Sequence, residues 1–118
     1  MARKLLLVVF TNDGCRRNHA FMHAIDWAQH GHTVRIVLDG EAVQCLRVRE
    51  GRFPALYEEA SRLGLIEGVC KAASSGCGDE ARDVTALALE RDLTLLDSMR
   101  GHAGVARFVD EGYEVIVF

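Results

Sequence analysis

Apolar runs alternate with helix-period segments along the whole chain. Leu5 to Phe10 is continuously apolar, which predicts a strand buried on both faces. Asn18 to His30 follows with Phe21, Ala24, Ile25 and Ala28 on one face of a helix, and Gly31 stands where a helix ends. Thr33 to Leu38, rich in β-branched residues, is a second strand. Gly40 to Val48 reads as a short helix. Pro54 opens another that runs to Leu63, with Gly64 as its stop. Leu65 to Val69 is a third, weaker strand. Asp79 is placed to cap a helix with core positions Ala81, Val84, Leu87 and Ala88. Leu93 to Leu96 is a fourth strand, Ser98 starts a last helix carrying Val105, Phe108 and Val109, and Tyr113 to Phe118 is a fifth strand. Five strands separated by helices predict a three-layer α/β domain with a mainly parallel sheet. The pattern does not specify strand order.

Composition narrows the function classes. The 118 residues suit one domain with a real hydrophobic core, about half of them being apolar. A formal charge of −3 and the absence of a basic face argue against nucleic-acid binding. The densest positive patch, Arg47, Arg49 and Arg52, reads as a solvated helix end. No segment reaches the roughly 18 apolar residues that span a bilayer. Met1 to Lys4 followed by an apolar run superficially resembles an export signal, but Thr11-Asn12-Asp13-Gly14 replaces a cleavage site. Cys15, Cys45, Cys70 and Cys77 therefore read as reduced thiols of a cytoplasmic protein.

Ligands of open α/β sheets bind outside the carboxyl ends of the strands. That places three loops in view: Thr11 to Arg17, Asp39 to Glu41, and Cys70 to Gly78. Thr11-Asn12-Asp13-Gly14 leads into a helix amino terminus, a natural anion pocket in which Asn12 and Gly14 are the candidate ligand-binding residues. It lacks the spacing of a P-loop or a dinucleotide fingerprint, and no cofactor is expected. Cys70 stands at the strand-to-loop junction. It serves equally as a nucleophile on the rim or as a small packing residue. Cys77, between Gly76 and Gly78, suits an exposed position, and Cys45 suits the core. Cys15, His19, His23, Asp26 and His30 form a stripe opposite the apolar face of the first helix, which predicts a solvated or subunit-contacting face. One helix rarely completes a metal shell, so no metal site is assigned.

Val69-Cys70-Lys71-Ala72-Ala73, a strand ending in Val-Cys before small residues, resembles the DsrE/DsrF-like (YchN-like) family of small sulfur-relay proteins. The first strand with its polar loop and Ala-containing helix is similar too, as is the closing strand ending at Phe118, so the resemblance spans the chain. It implies a sulfurtransferase-like role in which Cys70 carries sulfur as a persulfide between donor and acceptor proteins, within a symmetric homo-oligomer. Such chemistry needs a thiolate, which Lys71 and the amides of the following loop would favour. The chain departs from relatives in that loop, where Ser74-Ser75-Gly76-Cys77-Gly78 stands in place of arginines. Cys77 would then discharge Cys70 through a transient disulfide, if the loop brings the α-carbons within about 7 Å. The competing expectation is a non-catalytic binding or assembly subunit holding a small anion at the carboxyl rim.

Overall fold

The computed structural model describes residues 1–76 and 82–118. Its five strands, β1 (Lys4–Val9), β2 (Thr33–Leu38), β3 (Ile66–Cys70), β4 (Leu95–Leu96) and β5 (Glu114–Val117), form one sheet in the order β4-β3-β2-β1-β5. Every pairing is parallel. The centre of the sheet follows from the apolar runs. β1 pairs with β2 from Lys4↔Thr33 to Val9↔Leu38 and with β5 from Leu5↔Glu114 to Val8↔Val117. Leu5 to Val9 are consequently buried on both faces.

The helices are α1 (Gly14–Gln29), α2 (Phe53–Arg62), α3 (Lys71–Ser74), α4 (Thr85–Glu90) and α5 (Ala106–Asp110), with a 3₁₀ helix at Gly40–Arg47. The crossovers from β1 to β4 all step in one direction across the sheet, whereas the return to β5 steps in the other. Right-handed crossovers therefore put α5 on the face opposite the remaining helices, which gives three layers. α1 starts earlier than its apolar periodicity predicts. The Asp13 carboxylate accepts the Arg16 N–H at 3.0 Å, so the cap lies in the polar loop itself. Phe21 of α1 meets Phe53 of α2 edge to face, with ring centroids 4.9 Å apart. The 3₁₀ helix has the three-residue period its geometry needs, burying Ala42 with Cys45 and Val43 with Leu46.

The second half departs from the pattern. α4 begins at Thr85, where the Asp83 carboxylate accepts the Thr85 N–H at 2.9 Å. The caps and core positions read at Asp79 and Ala81 lie outside the described residues. β4 is only two residues long, Leu95 and Leu96, and is preceded by Asp92 at a left-handed φ of 56°. No helix starts at Ser98. Arg100 and Gly101 take φ values of 53° and 92°, which turns the chain back on itself with Met99 bridged to His102, and α5 forms only from Ala106.

The β3–β4 edge is a close approach that requires glycine. A Cβ on Gly68 would stand 2.4 Å from the Thr94 carbonyl oxygen, a backbone atom that also accepts the Val69 N–H at 2.9 Å. Gly68→Ala is expected to cost about 1–3 kcal/mol of stability, as overpacking against an atom that cannot rotate away. Urea unfolding of the two proteins measures it, and equal midpoints would show that the strands separate freely.

Candidate functional site

Cys70 closes β3 and caps α3, and its side chain is fully buried, at 0% exposure. Its sulfur is nonetheless surrounded by donors. The Ala73 N–H approaches it at 3.5 Å and the Ala103 N–H at 3.3 Å, while His102 Nδ1 lies 3.9 Å away. The first donor comes from the one-turn helix that starts at the cysteine. The Ala103 N–H and the His102 ring, whose Nδ1 donates or accepts according to its tautomer, come from the turn after β4, held in place by the Ala72 N–H donating to the Gly101 carbonyl at 2.9 Å. Ser74, also fully buried, donates its hydroxyl to the Cys70 carbonyl at 2.7 Å, tying the strand end to α3. Backbone N–H groups aimed at sulfur are what a charged thiolate uses for stabilisation. The turn that supplies the Ala103 N–H also lies over the buried sulfur.

The other predicted site residues are dispersed. Lys71 is exposed and faces Asp97 at 3.9 Å, so its charge has a partner beside the cysteine. Cys77 lies outside the described residues, as does the pairing expected of it. Asn12 accepts from Arg17 at 3.1 Å, and Gly14 is the first residue of α1. The structure thus joins Asn12 to a group that the sequence did not flag. Arg17 is only 7% exposed, stacks 4.2 Å above the Phe53 ring, and donates to the side-chain oxygens of Asn12 and Asn18. Among the described residues it has no carboxylate partner.

Sequence reasoning missed His102, the Ala103 amide and Arg17. The paired glycines Gly101 and Gly104 were the available signal for the first two: a Cβ at Gly104 would fall 2.6 Å from Ser98 Oγ, marking a tightly folded turn. The histidine stripe of α1 is exposed from Cys15 to His30 as its periodicity predicts. His19 Nδ1 stands 2.8 Å from the Cys15 carbonyl and 3.7 Å from the Cys15 sulfur. No three His, Cys, Asp or Glu side chains converge among the described residues.

Cys45 is buried in the core, and burial pushes its thiol from an ordinary 9.0 up to about 12, with Arg17 and Arg91 pulling weakly the other way. An unfolded thiol loses its proton near 9.0 while the folded one keeps it. Folding stability therefore falls as pH rises through the window from 9.0 to about 12. Between roughly pH 8 and pH 10 this residue should remove roughly 1 kcal/mol of stability. Urea unfolding at both values, compared with Cys45→Ala, isolates it: the variant should lose less stability on going alkaline, and equal losses would contradict the assignment. A second prediction concerns access. Gly104→Ala should disturb the covering turn and speed alkylation of Cys70 by iodoacetamide about 10-fold or more, read by peptide mass spectrometry, since reaction requires the turn to open.

No family model matches the chain, and no curated protein matches it. Among solved structures, it is similar to a conserved protein of unknown function from Bacteroides thetaiotaomicron, at 16% identity and a TM-score of 0.68. That alignment covers 98% of this chain and 95% of the other. A likeness at this identity establishes the three-layer α/β fold with its five-stranded parallel sheet.

Proposed function

We propose that the protein is a DsrE-like sulfur carrier in which Cys70 holds the transferred sulfur as a persulfide. The observation that carries this reading is the pair of backbone N–H donors converging on the Cys70 sulfur from two separate segments, Ala73 of α3 and Ala103 of the turn after β4, with the His102 ring beside them. A cysteine kept only for packing has no need of them. The Cys70 thiolate attacks the outer sulfur of a donor persulfide. The donor's S–S bond breaks, the donor leaves as its own thiolate, and the new S–S bond leaves the outer sulfur on Cys70. Attack by an acceptor thiolate reverses these roles and regenerates Cys70. Neither step needs an external oxidant. His102, exposed at the surface of the turn, is placed to take the thiol proton out to solvent. Because the sulfur is buried, donor and acceptor must displace the turn from 97 to 104. This reading places the protein in a reducing cytoplasmic setting.

A second observation favours self-association. Val115 and Val117 are 39% and 63% exposed, and strand alternation puts them on the same sheet face as Phe10, itself 44% exposed. A homo-oligomer covering this edge explains an apolar surface that water otherwise meets. A third favours the non-catalytic alternative: Arg17, buried beside Asn12 and without a carboxylate among the described residues, would bind a small anion at the rim.

The carrier reading is tested by incubating the protein with glutathione persulfide and measuring intact mass. The unmodified chain should gain one sulfur atom and Cys70→Ser none, whereas Cys77→Ser should load normally and keep its sulfur longer. That variant lacks the thiolate that would attack the Cys70 sulfur, expel the outer sulfur as hydrosulfide and leave a disulfide for glutathione to reduce. Equal loading of Cys70→Ser and the unmodified protein would sink the proposal in favour of the binding role. For assembly, Val117→Lys should shift sedimentation toward the monomer, and a monomeric unmodified protein at micromolar concentration would rule the oligomer out.

A further inference from the structure

The arginine cluster after the 3₁₀ helix is more than a solvated helix end. Arg49 and Arg91, remote in sequence, both direct a guanidinium at the Leu46 carbonyl, at 3.4 Å and 2.8 Å. They stand at the edge of a groove of about 540 Å³ whose apolar surface comes from Val48, Phe53, Pro54 and Tyr57. Arg91 is fixed from one side by the Tyr57 ring, 4.8 Å below its guanidinium carbon. Arg62, at the other end of the groove, is committed to Glu59 at 2.6 Å. Among the described residues neither Arg49 nor Arg91 has a carboxylate partner, although Glu58 also borders the groove.

One carbonyl has two lone pairs, whereas two guanidinium groups bring ten N–H donors. Two like charges held against one carbonyl also repel, unless an anion lies between them. The groove's volume falls within the range of small-molecule sites, and its makeup is the usual one of apolar walls with a few convergent polar groups.

We infer that this groove binds a small organic anion: an oxyanion head, carboxylate or phosphate, set between Arg49 and Arg91, with a flat apolar body lying along the half-buried Val48, Pro54 and Tyr57. The head accepts charge-assisted hydrogen bonds from both guanidinium groups, and the body covers the aromatic wall. The site is separate from Cys70 and from the Arg17–Asn12 rim, and it stands whether or not Cys70 carries sulfur.

The test is titration of the full chain with 2-naphthoate, 2-naphthyl phosphate and the neutral 2-naphthamide, followed calorimetrically. At least one of the two anions should bind saturably, about 10-fold or more tighter than the amide, and its affinity should fall with added salt. The better anion identifies the head group. Arg49→Gln should weaken that anion about 10-fold or more, because the exposed arginine loses a charged donor without disturbing the core. Arg91 also holds the Leu46 carbonyl, so Ser61→Trp serves as the second variant: it leaves both arginines in place, fills the groove from the exposed face of α2, and should abolish binding while the thermal unfolding midpoint stays close to that of the parent. The inference is overturned if neither anion saturates at millimolar concentration, if the amide binds as tightly as the anions, or if Ser61→Trp binds like the unmodified chain.

Discussion

The site depends on how closely β3 approaches β4. Without a side chain on Gly68, the Thr94 carbonyl can lie where a Cβ would stand and still accept the Val69 N–H. That contact sets the register Val69↔Leu95 and Cys70↔Leu96, so the chain leaves β4 level with the sulfur. The left-handed residues Arg100 and Gly101 then turn it back at once, which delivers the Ala103 amide and the His102 ring to Cys70. A longer or more distant β4 would carry this turn past the cysteine. The two-residue strand is thus short for the same reason that the site is closed.

The surroundings of Cys70 combine two opposed effects. Burial in a low-dielectric interior disfavours a charged sulfur, while aimed N–H dipoles favour it and need no reorganisation when charge appears. Neutral donors are well suited to such a position. A buried cation would carry its own desolvation cost, of several kcal/mol before pairing. Lys71, the charge the sequence offers at this point, is instead turned to solvent opposite Asp97. The hydrogen-bond donors at the cysteine sulfur are therefore backbone N–H groups, which no substitution of a surface charge removes.

What was legible in the sequence was whatever rested on local periodicity. The apolar run at Leu5 to Phe10 and the β-branched run at Thr33 to Leu38 read as strands, the first buried on both faces from Leu5 to Val9, and Phe21 and Ala24 fell on the buried side of α1 as their spacing required. The junction position of Cys70 followed from strand length alone. The failures came where tertiary contacts overrode the local signal. Ser98 and the following apolar positions had helical spacing, but the left-handed turn at Arg100 and Gly101 was worth more, because it satisfies the Ala72 N–H and the Cys70 sulfur together. Arg17 was illegible for a related reason: an arginine in the first turn of an amphipathic helix ordinarily reaches water, and only the Phe53 ring from α2 explains why this one is buried. The pairing of Arg49 with Arg91 links residues on either side of β3, α3 and the start of α4, a distance that periodicity cannot bridge.

These arginines give the molecule an electrostatic asymmetry that its net charge of −3 conceals. On the α5 face two cations share one acid, Arg107 and Arg35 both pairing with Glu67. On the side of α1 and α2, Arg17 and Arg91 flank the same buried Cys45, and among the described residues they are met by amide oxygens, a carbonyl and aromatic faces. Their positive potential is therefore not cancelled locally, and it is focused by the low-dielectric wall of Phe53 and Tyr57. An anion approaching this chain meets attraction on the helix side and neutral dipoles at Cys70. One small domain thus sets full charges beside its groove and neutral backbone N–H groups around its buried rim cysteine.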